Sequence, residues 1–405
     1  MQMPDKKQMP LWQFVVLMYA ATWLMSPFLA RGNGWRMLMV GSTGVFTVQS
    51  FTDNRSETQR QRHLLYVFLL IAYIILLTFL TGDAYQSRVG TVIILCTTIL
   101  AHSINDVEWK ESYLKIGLEY ILGLCIVSNV ITLRQLMLTP NICRLFAKNV
   151  DVAALGIHVM WGTGGYGFVY TVLLLLPFAI NLSLYEKHDN ILRWMAIVFV
   201  ASGFLLIIKA AYFLALLLGG AVILLYWGFS IPGGLKTDKL ILFVLLFIVL
   251  FTFFDYIADI AVRLIPIRSI QEKILSMQEL LNGTEDIQES EFMTRSERYV
   301  RAFTNTLLSP LFGWFTYSRT GNHSHLMDFS SQYGLPLLYG YIQLMTRHLR
   351  KIKIRDNAPI LTFLCVFGML CLLNTVAFAW GGVLCIFLPI FCLYKEMKPS
   401  LCRES

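Results

Sequence analysis

The sequence predicts an all-α polytopic integral membrane protein, with about 12 transmembrane helices and one large extracytoplasmic loop. Two observations carry this prediction. First, 56% of the 405 residues are hydrophobic and 14% are charged, whereas a soluble domain carries roughly a quarter charged residues. Second, solid apolar runs recur along the whole chain, and many approach the roughly 20 residues that cross a hydrocarbon core. Solid runs also exclude an outer-membrane barrel, whose strands alternate in polarity.

The apolar runs give the predicted spans in chain order. They are 11–30, 37–51, 64–81, 89–104, 113–133, 165–184, 191–208, 210–227, 240–262, 330–346, 358–378 and 380–394. The first run follows Lys6 and Lys7, is long for a signal sequence and lacks an evident cleavage site, so it is expected to be a retained span. The chain is thereby divided into helices at 1–262, a loop at 263–329 and helices at 330–405.

Basic loops predict the orientation, because Lys and Arg concentrate in cytoplasmic loops. The clearest is Arg347–Arg355, and three further basic stretches are Asp53–His63, Lys187–Arg193 and Lys236–Lys239. With twelve spans and a cytoplasmic N-terminus, all four stretches fall on the cytoplasmic side. The net charge of +8 is explained by these loops and does not indicate a nucleic-acid partner.

Two larger segments are then expected outside, Arg134–Gly164 and Arg263–Phe329. The second contains seven Lys or Arg and eight Asp or Glu, and its apolar spacing predicts helices at 265–281 and 297–308. Of the eight cysteines, Cys143 is placed in an outer segment and most others lie in apolar runs. No disulfide framework is predicted.

Two histidines near the end of the large loop are candidates for proton transfer. His323 and His325 stand in the stretch from Arg319 to Gly334, which leads into an apolar run. Histidine is the side chain whose pKa suits proton transfer near neutrality. Two exposed loop histidines without a function are the alternative. A metal site is a further alternative, for which His-x-His on one loop lacks the other ligands.

Three arginines upstream recur at every third position. Arg295, Arg298 and Arg301 would share a broad face of a helix, where guanidinium groups can bind the oxygens of a phosphate bidentately. The alternative is a solvated helix in which Glu297 is the partner of these arginines.

A lysine and a glycine-rich stretch complete the candidate set. Lys209 stands between two apolar runs, where a charge is either functional or reaches the membrane surface with its long side chain. The stretch from Trp161 to Tyr170 contains four glycines in six residues at the start of a span. Its free amides could attract an anion, and a flexible start of the span is the alternative.

These motifs resemble one family. His323-Ser324, followed after nine residues by Gly334, is similar to the His-Asn/Ser-x9-Gly signature of the O-antigen ligase and polysaccharide polymerase superfamily. Arg295, fifteen residues before Pro310 in Pro-Leu-Phe-Gly, resembles the loop segment before that histidine. Lys209 stands where the family usually has an arginine, and the glycine-rich stretch looks like an element of repeat-unit polymerases. The second glycine of the family's Gly-x-x-Gly is Leu337 here.

The resemblance implies a metal-independent, inverting glycosyltransferase without a cofactor in the bacterial plasma membrane. A Wzy-type polymerase of O-antigen or capsule would transfer a growing glycan from undecaprenyl diphosphate to the hydroxyl of the next lipid-linked repeat, at the extracytoplasmic face. The lipid-linked oligosaccharide is the implied ligand, with a chain-length regulator as a protein partner. His323 would be the base. Residues implied to bind the diphosphate are Lys209, Arg295 and Arg298, and those implied to orient substrate are His325, Arg319, Arg301 and Tyr166.

Two other functions are compatible with the same sequence features. The first is an O-antigen ligase of the same superfamily, which transfers the glycan to the lipid A core. The second is a flippase or transporter of lipid-linked oligosaccharides. A transporter is expected to show internal repeats and substrate charges near the membrane midplane, whereas the polar residues here concentrate in one outer loop.

Overall fold

The computed structural model describes residues 8–27, 108–139, 142–143, 162–210, 212–230, 291–314, 324–346, 357–374 and 380–397, with isolated positions at 41, 69, 71–73, 256, 259–260, 262–263, 271 and 274–275. Within these residues the structure is all-helical and contains no strand. An isolated β-bridge joins Gln8 to Glu108. The predicted helical fold class is therefore confirmed for the described part of the chain.

Ten α-helices and one π-helix have defined bounds in the described part. They are α1 (Leu11–Met25), α2 (Glu111–Leu138), α3 (Tyr166–Tyr185), α4 (Asn190–Ala210), α5 (Phe213–Ser230), α6 (Glu291–Leu308), α7 (His325–Tyr333), α8 (Leu335–Thr346), α9 (Ala358–Leu373), the π-helix Trp380–Phe387 and α10 (Leu388–Met397). By length and composition, three of them could cross a membrane, namely α2, α3 and α4. The helices α1, α5 and α9 are apolar and shorter.

Helix α3 lies at the centre of the bundle. It packs against α4, α5, α9 and the π-helix, and its residues from Phe168 to Ala179 are buried without a gap. Pro177 lies inside this helix, where it removes one backbone donor from the helical ladder. A continuous apolar sequence buried on all sides is the pattern expected of a central helix in a bundle.

The turn between α3 and α4 is built by two carboxylates. Glu186 accepts hydrogen bonds through Oε1 from the backbone N–H groups of His188 and Asp189, at 2.9 and 3.1 Å. Asp189 caps α4 by accepting from the N–H groups of Ile191 and Leu192, both at 3.1 Å. These acceptors satisfy amides that a helix start leaves without partners. They hold α3 and α4 as an antiparallel pair.

Hydrogen bonds bring one set of helix ends together at what we term the Glu186 end of the bundle. The Tyr394 hydroxyl of α10 donates to Glu186 Oε2 at 3.0 Å. Lys115 of α2 lies 2.6 Å from Asp189, and Lys395 of α10 donates to Asn357, before α9, at 3.2 Å. The backbone N–H of Met9 donates to the Glu108 carbonyl at 2.9 Å, which joins the starts of α1 and α2.

A second set of ends meets at what we term the His325 end. The backbone N–H of His325 donates to the Asn374 carbonyl after α9, and the Asn374 side chain donates to the Tyr170 hydroxyl of α3 at 2.9 Å. Gly164, before α3, donates its N–H to Thr132 of α2 at 2.9 Å. The later part of α2, the start of α3, the end of α9 and the start of α7 therefore meet at this end of the bundle.

Several predicted boundaries are wrong, and each has a physical reason. The predicted span 330–346 is divided into α7 and α8 by Gly334, whose φ of 85° is outside the helical region. Helix α2 continues to Leu138, so Arg134 is an exposed residue of the helix and not the start of a loop. The predicted span 380–394 begins as a π-helix and continues as α10.

One predicted loop helix is confirmed, the predicted place of Cys143 is wrong, and several predicted spans lie outside the described residues. The loop helix predicted at 297–308 is confirmed as α6, which begins earlier, at Glu291. Cys143, expected in an outer loop, is buried, and its thiol donates to the Gly164 carbonyl at 3.1 Å. Almost all of the predicted spans 37–51, 64–81, 89–104 and 240–262 and of the predicted helix 265–281 lies outside the described residues.

Candidate functional site at the His325 end

The C-terminal carbonyl groups of α9 hold two other segments in place. The last carbonyls of an α-helix have no partner within the helix. Here the Cys371 carbonyl accepts from the Ser324 hydroxyl at 3.3 Å, the Leu373 carbonyl accepts from the Tyr299 hydroxyl at 2.9 Å, and the Asn374 carbonyl accepts from the His325 N–H at 3.1 Å. The arginine-bearing helix α6 and the start of α7 therefore dock on the same helix end.

Ser324 begins α7 as its N-cap. Its hydroxyl accepts from the Met327 N–H at 3.3 Å, and the Asp328 carboxylate accepts from the Ser324 N–H at 3.2 Å. This reciprocal pair satisfies two amides at the helix start, as in a capping box. The residue that follows His323 is thus fixed by its own helix and by the Cys371 carbonyl.

His325 is buried, with 9% of its surface exposed. Its Nε2 lies 3.0 Å from the Tyr341 hydroxyl of α8, and the phenol ring of Tyr341 stacks on Phe329 with ring centroids 4.5 Å apart. Burial lowers the pKa of His325 to about 4, so the ring is neutral at physiological pH. The alternative that His325 is an exposed loop residue is wrong, because the tight turn into α7 directs it into the bundle.

Two glycines allow α6 and α7 to approach through their backbones. A Cβ atom on Gly313 would lie 2.4 Å from the Gln332 carbonyl oxygen, and one on Gly334 would lie 2.4 Å from the Leu311 carbonyl oxygen. Both glycines have positive φ, at 67° and 85°. The Leu335 N–H donates to the Pro310 carbonyl at 2.7 Å across this junction. The Pro-Leu-Phe-Gly segment and Gly334, which the sequence singled out separately, form one close backbone contact.

The three predicted arginine positions all lie on α6. Arg301 is exposed, whereas Arg298 is half-buried and contacts neighbouring groups. The backbone position of Arg295 lies in the same helical register as Tyr299 and Ala302, four and seven residues further on. Tyr299 and Ala302 are on the packed side of α6. At 100° per residue the backbone positions of the three arginines fall within an arc of about 120° of α6, and their shared role stays a prediction.

Lys209 is exposed in the last turn of α4. Three residues later Tyr212 packs on Tyr166, the first residue of α3, with ring centroids 3.6 Å apart. One turn along α3, Tyr170 accepts from Asn374, whose carbonyl accepts from His325. A continuous series of contacts therefore connects the α4 terminus that carries Lys209 to the start of α7.

Two of the predicted residues cannot be placed, since His323 and Arg319 lie outside the described residues. Within the described part of the chain, no three His, Cys, Asp or Glu side chains converge where they could hold a metal ion. The expectation of a metal-independent reaction stays a prediction.

Sequence reasoning missed three side chains that build this end, namely Tyr299, Tyr341 and Asn374. Tyr341 and Asn374 are polar residues within or beside an apolar stretch, and that was the available signal, whereas Tyr299 stands among charged residues and carried no such signal. Their partners lie between 16 and 204 residues away in the chain, so spacing could not reveal the contacts.

A scan against protein-family models finds no match for the chain, and a search of curated proteins finds none either.

Proposed function

We propose that the chain is a polysaccharide polymerase of the bacterial plasma membrane, acting at its extracytoplasmic face. In this proposal twelve helices span the membrane and the His325 end faces outward. The substrate is a glycan on undecaprenyl diphosphate, and the product is a glycan longer by one repeat. A chain-length regulator is proposed as a protein partner.

One observation carries the proposal. The parts of the chain that supply the candidate base and the candidate diphosphate ligands are far apart in sequence, yet the contacts through Tyr212, Tyr166, Tyr170 and Asn374 connect them at one end of the bundle. Within the described part of the chain, exposed Lys209 and Arg301 contact no carboxylate. Exposed cations near a hydrogen-bonded helix end can attract an anionic ligand.

The proposed reaction needs a base and a stabilised leaving group. The hydroxyl oxygen of the acceptor repeat attacks the anomeric carbon of the donor glycan while His323 takes the hydroxyl proton. The bond from that carbon to the diphosphate oxygen breaks, and undecaprenyl diphosphate leaves. Lys209, Arg295 and Arg298 stabilise the negative charge that develops on it. Arg319, Arg301 and Tyr166 are proposed to orient the sugars, and His325 supports them indirectly by holding the start of α7.

Within this proposal we give His325 a positioning role. It is buried against Tyr341 and its backbone is held by Asn374, so it fixes the end of the segment that carries His323. The base is therefore assigned to His323, and His325 acts through the position of its neighbour.

The test is polymer formation in proteoliposomes that contain lipid-linked repeats extracted from the source bacterium. Wild type should give a ladder of chain lengths in the presence of chelator, and His323→Ala should give single repeats only. His188→Ala is the matched control, because His188 is an exposed histidine at the Glu186 end and should retain the full ladder.

Three results would contradict the proposal. Activity of His323→Ala equal to wild type would remove the base. Transfer to added lipid A core without chain growth would identify a ligase. Movement of lipid-linked repeats across the membrane without any new glycosidic bond would identify a transporter.

A further inference from the structure

Helix α6 carries an apolar face that no described part of the chain covers. Val300, Phe303 and Leu307 expose 63%, 55% and 60% of their surfaces. At 3.6 residues per turn these three side chains fall within an arc of about 60°. Exposed apolar residues are common singly, but three on one helical face form a patch that indicates a partner.

The other faces of α6 have different surroundings. Ala302 and Thr306 are buried against α7, where Thr306 lies 3.0 Å from the Ser330 hydroxyl. Glu297, Arg301 and Thr304 are exposed and polar. Around the helix, the packed, apolar and polar faces follow one another at intervals of roughly 100°. A helix with these three faces can contact protein on its packed face, lipid on its apolar face and water on its polar face.

The apolar face continues onto neighbouring elements. Leu311 and Phe312, in the turn after α6, are exposed, and so are Leu335 and Tyr339 on α8. The Leu335 N–H bonds to the Pro310 carbonyl, so α8 leaves directly from this turn. Tyr339 lies one turn after Leu335 on the same face. The exposed apolar residues of α6 are thus followed by exposed apolar residues in the turn and on α8.

We propose that α6 lies in the membrane interface at the His325 end, with Val300, Phe303 and Leu307 in contact with the acyl chains of that leaflet. Arg301 then lies at the level of the phospholipid headgroups, where cationic side chains of interfacial helices are attracted to phosphate. The exposed apolar residues continue onto α8, which lies within the predicted span 330–346. This continuity favours lipid over a second protein as the occupant of the face. The proposal needs a bilayer around the bundle and does not depend on the reaction catalysed.

Photo-crosslinking at single positions tests the contact. Benzoylphenylalanine is introduced at Phe303 or at Leu307, and at Thr304 as the control, an exposed neighbour about 100° from Phe303 and about 60° from Leu307 around the helix. Each full-length protein is reconstituted in vesicles of phosphatidylethanolamine and phosphatidylglycerol, irradiated and weighed by intact-mass spectrometry. Positions 303 and 307 should gain the mass of one phospholipid at least about fivefold more often than position 304.

Two outcomes would overturn the proposal. A crosslinked dimer from positions 303 and 307 would show that a second copy covers the face. Equal phospholipid adducts at 303, 307 and 304, or adducts at none, would show that the apolar face does not contact acyl chains selectively. Monodisperse elution before irradiation establishes folding, and position 307 provides a second site on the face. No substrate is required, so a failed proposal on α6 is distinguishable from a failed polymerase assignment.

Discussion

The two ends of the bundle differ in the chemical groups that join their helix ends. At the Glu186 end, charges meet partners at short range: Lys115 pairs with Asp189, and the Glu186 carboxylate accepts from Tyr394 and two backbone amides. At the His325 end, the three hydrogen bonds that join the end of α9 to α6 and α7 are made by neutral groups, the Asp328 carboxylate accepts from the start of its own helix, and the cations Lys209 and Arg301 are exposed. The first arrangement fixes helix ends to one another, and the second leaves positive charge accessible to a ligand.

This difference separates positions where substitutions should affect stability from positions where they should affect activity. A satisfied buried carboxylate stabilises the fold, and removing it leaves its donors without partners. An exposed cation contributes little to stability, so any large effect of its removal reports on binding or catalysis. The following predictions test this separation, beginning with the largest expected effect.

Gly334→Ala should cause the largest loss of folded protein. The added Cβ would meet the Leu311 carbonyl oxygen at 2.4 Å, and the φ of 85° is unfavourable for alanine. The clash with Leu311 and the unfavourable φ both involve the backbone, so side-chain movement cannot relieve them. We therefore expect destabilisation of about 4 kcal/mol or more. Gly368→Ala in α9 is the control, because a Cβ there meets nothing within 4 Å. Equal thermal stability of the two variants in detergent would contradict the proposed junction.

The same glycine shows what the sequence could and could not provide. The apolar run around Gly334 predicted one continuous span, and local spacing gave no reason to divide it. The break comes from the approach of Leu311, and that contact forms only when α6 docks on α7. By contrast, α6 itself was predictable, because its apolar spacing is local. The helix end at Lys209 was predictable for the same reason, whereas the burial of His325 depends on Tyr341, sixteen residues away.

Lys209→Ala should lower polymerisation by roughly a hundredfold without lowering thermal stability. A charge that stabilises a leaving diphosphate contributes about 3 kcal/mol to the barrier. Lys187→Ala is the matched control, because Lys187 is an exposed lysine at the opposite end, and it should leave both activity and stability unchanged. The assay is the initial rate of ladder formation per milligram of reconstituted protein. A wild-type rate for Lys209→Ala would remove this cation from the mechanism.

Glu186→Ala should have the converse effect, with stability lost and the turnover of the remaining folded protein unchanged. The substitution removes the acceptor of three hydrogen bonds in a buried turn, for which we expect about 2–3 kcal/mol of destabilisation. Glu396→Ala, at an exposed position near the end of α10, should be neutral. A thermal unfolding midpoint for Glu186→Ala equal to that of Glu396→Ala would mean that the Glu186 end is not a structural clamp.

The His325 end should lose stability in acid. Burial lowers the pKa of His325 to about 4, whereas an unfolded histidine titrates near 6.5. The folded state therefore binds fewer protons, so this contribution is complete above pH 6.5 and is lost as the pH falls towards 4. At pH 5 the loss should be about 2 kcal/mol. Thermal unfolding at pH 7.5 and 5 checks it: His325→Gln should reduce the pH dependence, and His188→Gln should leave it as in wild type.

Tyr299→Phe should produce the smallest effect, and it tests how α6 is held. The substitution removes one hydroxyl, which donates to the Leu373 carbonyl at 2.9 Å, and one such bond contributes about 1 kcal/mol. If this bond positions the arginines of α6 for the diphosphate, KM for the lipid-linked donor should rise by about fivefold, with kcat nearly unchanged. Tyr339→Phe is the control, because Tyr339 is an exposed tyrosine on α8. A lower kcat with an unchanged KM would place Tyr299 in the chemical step. No change in either constant would mean that the docking of α6 on α9 does not control donor binding.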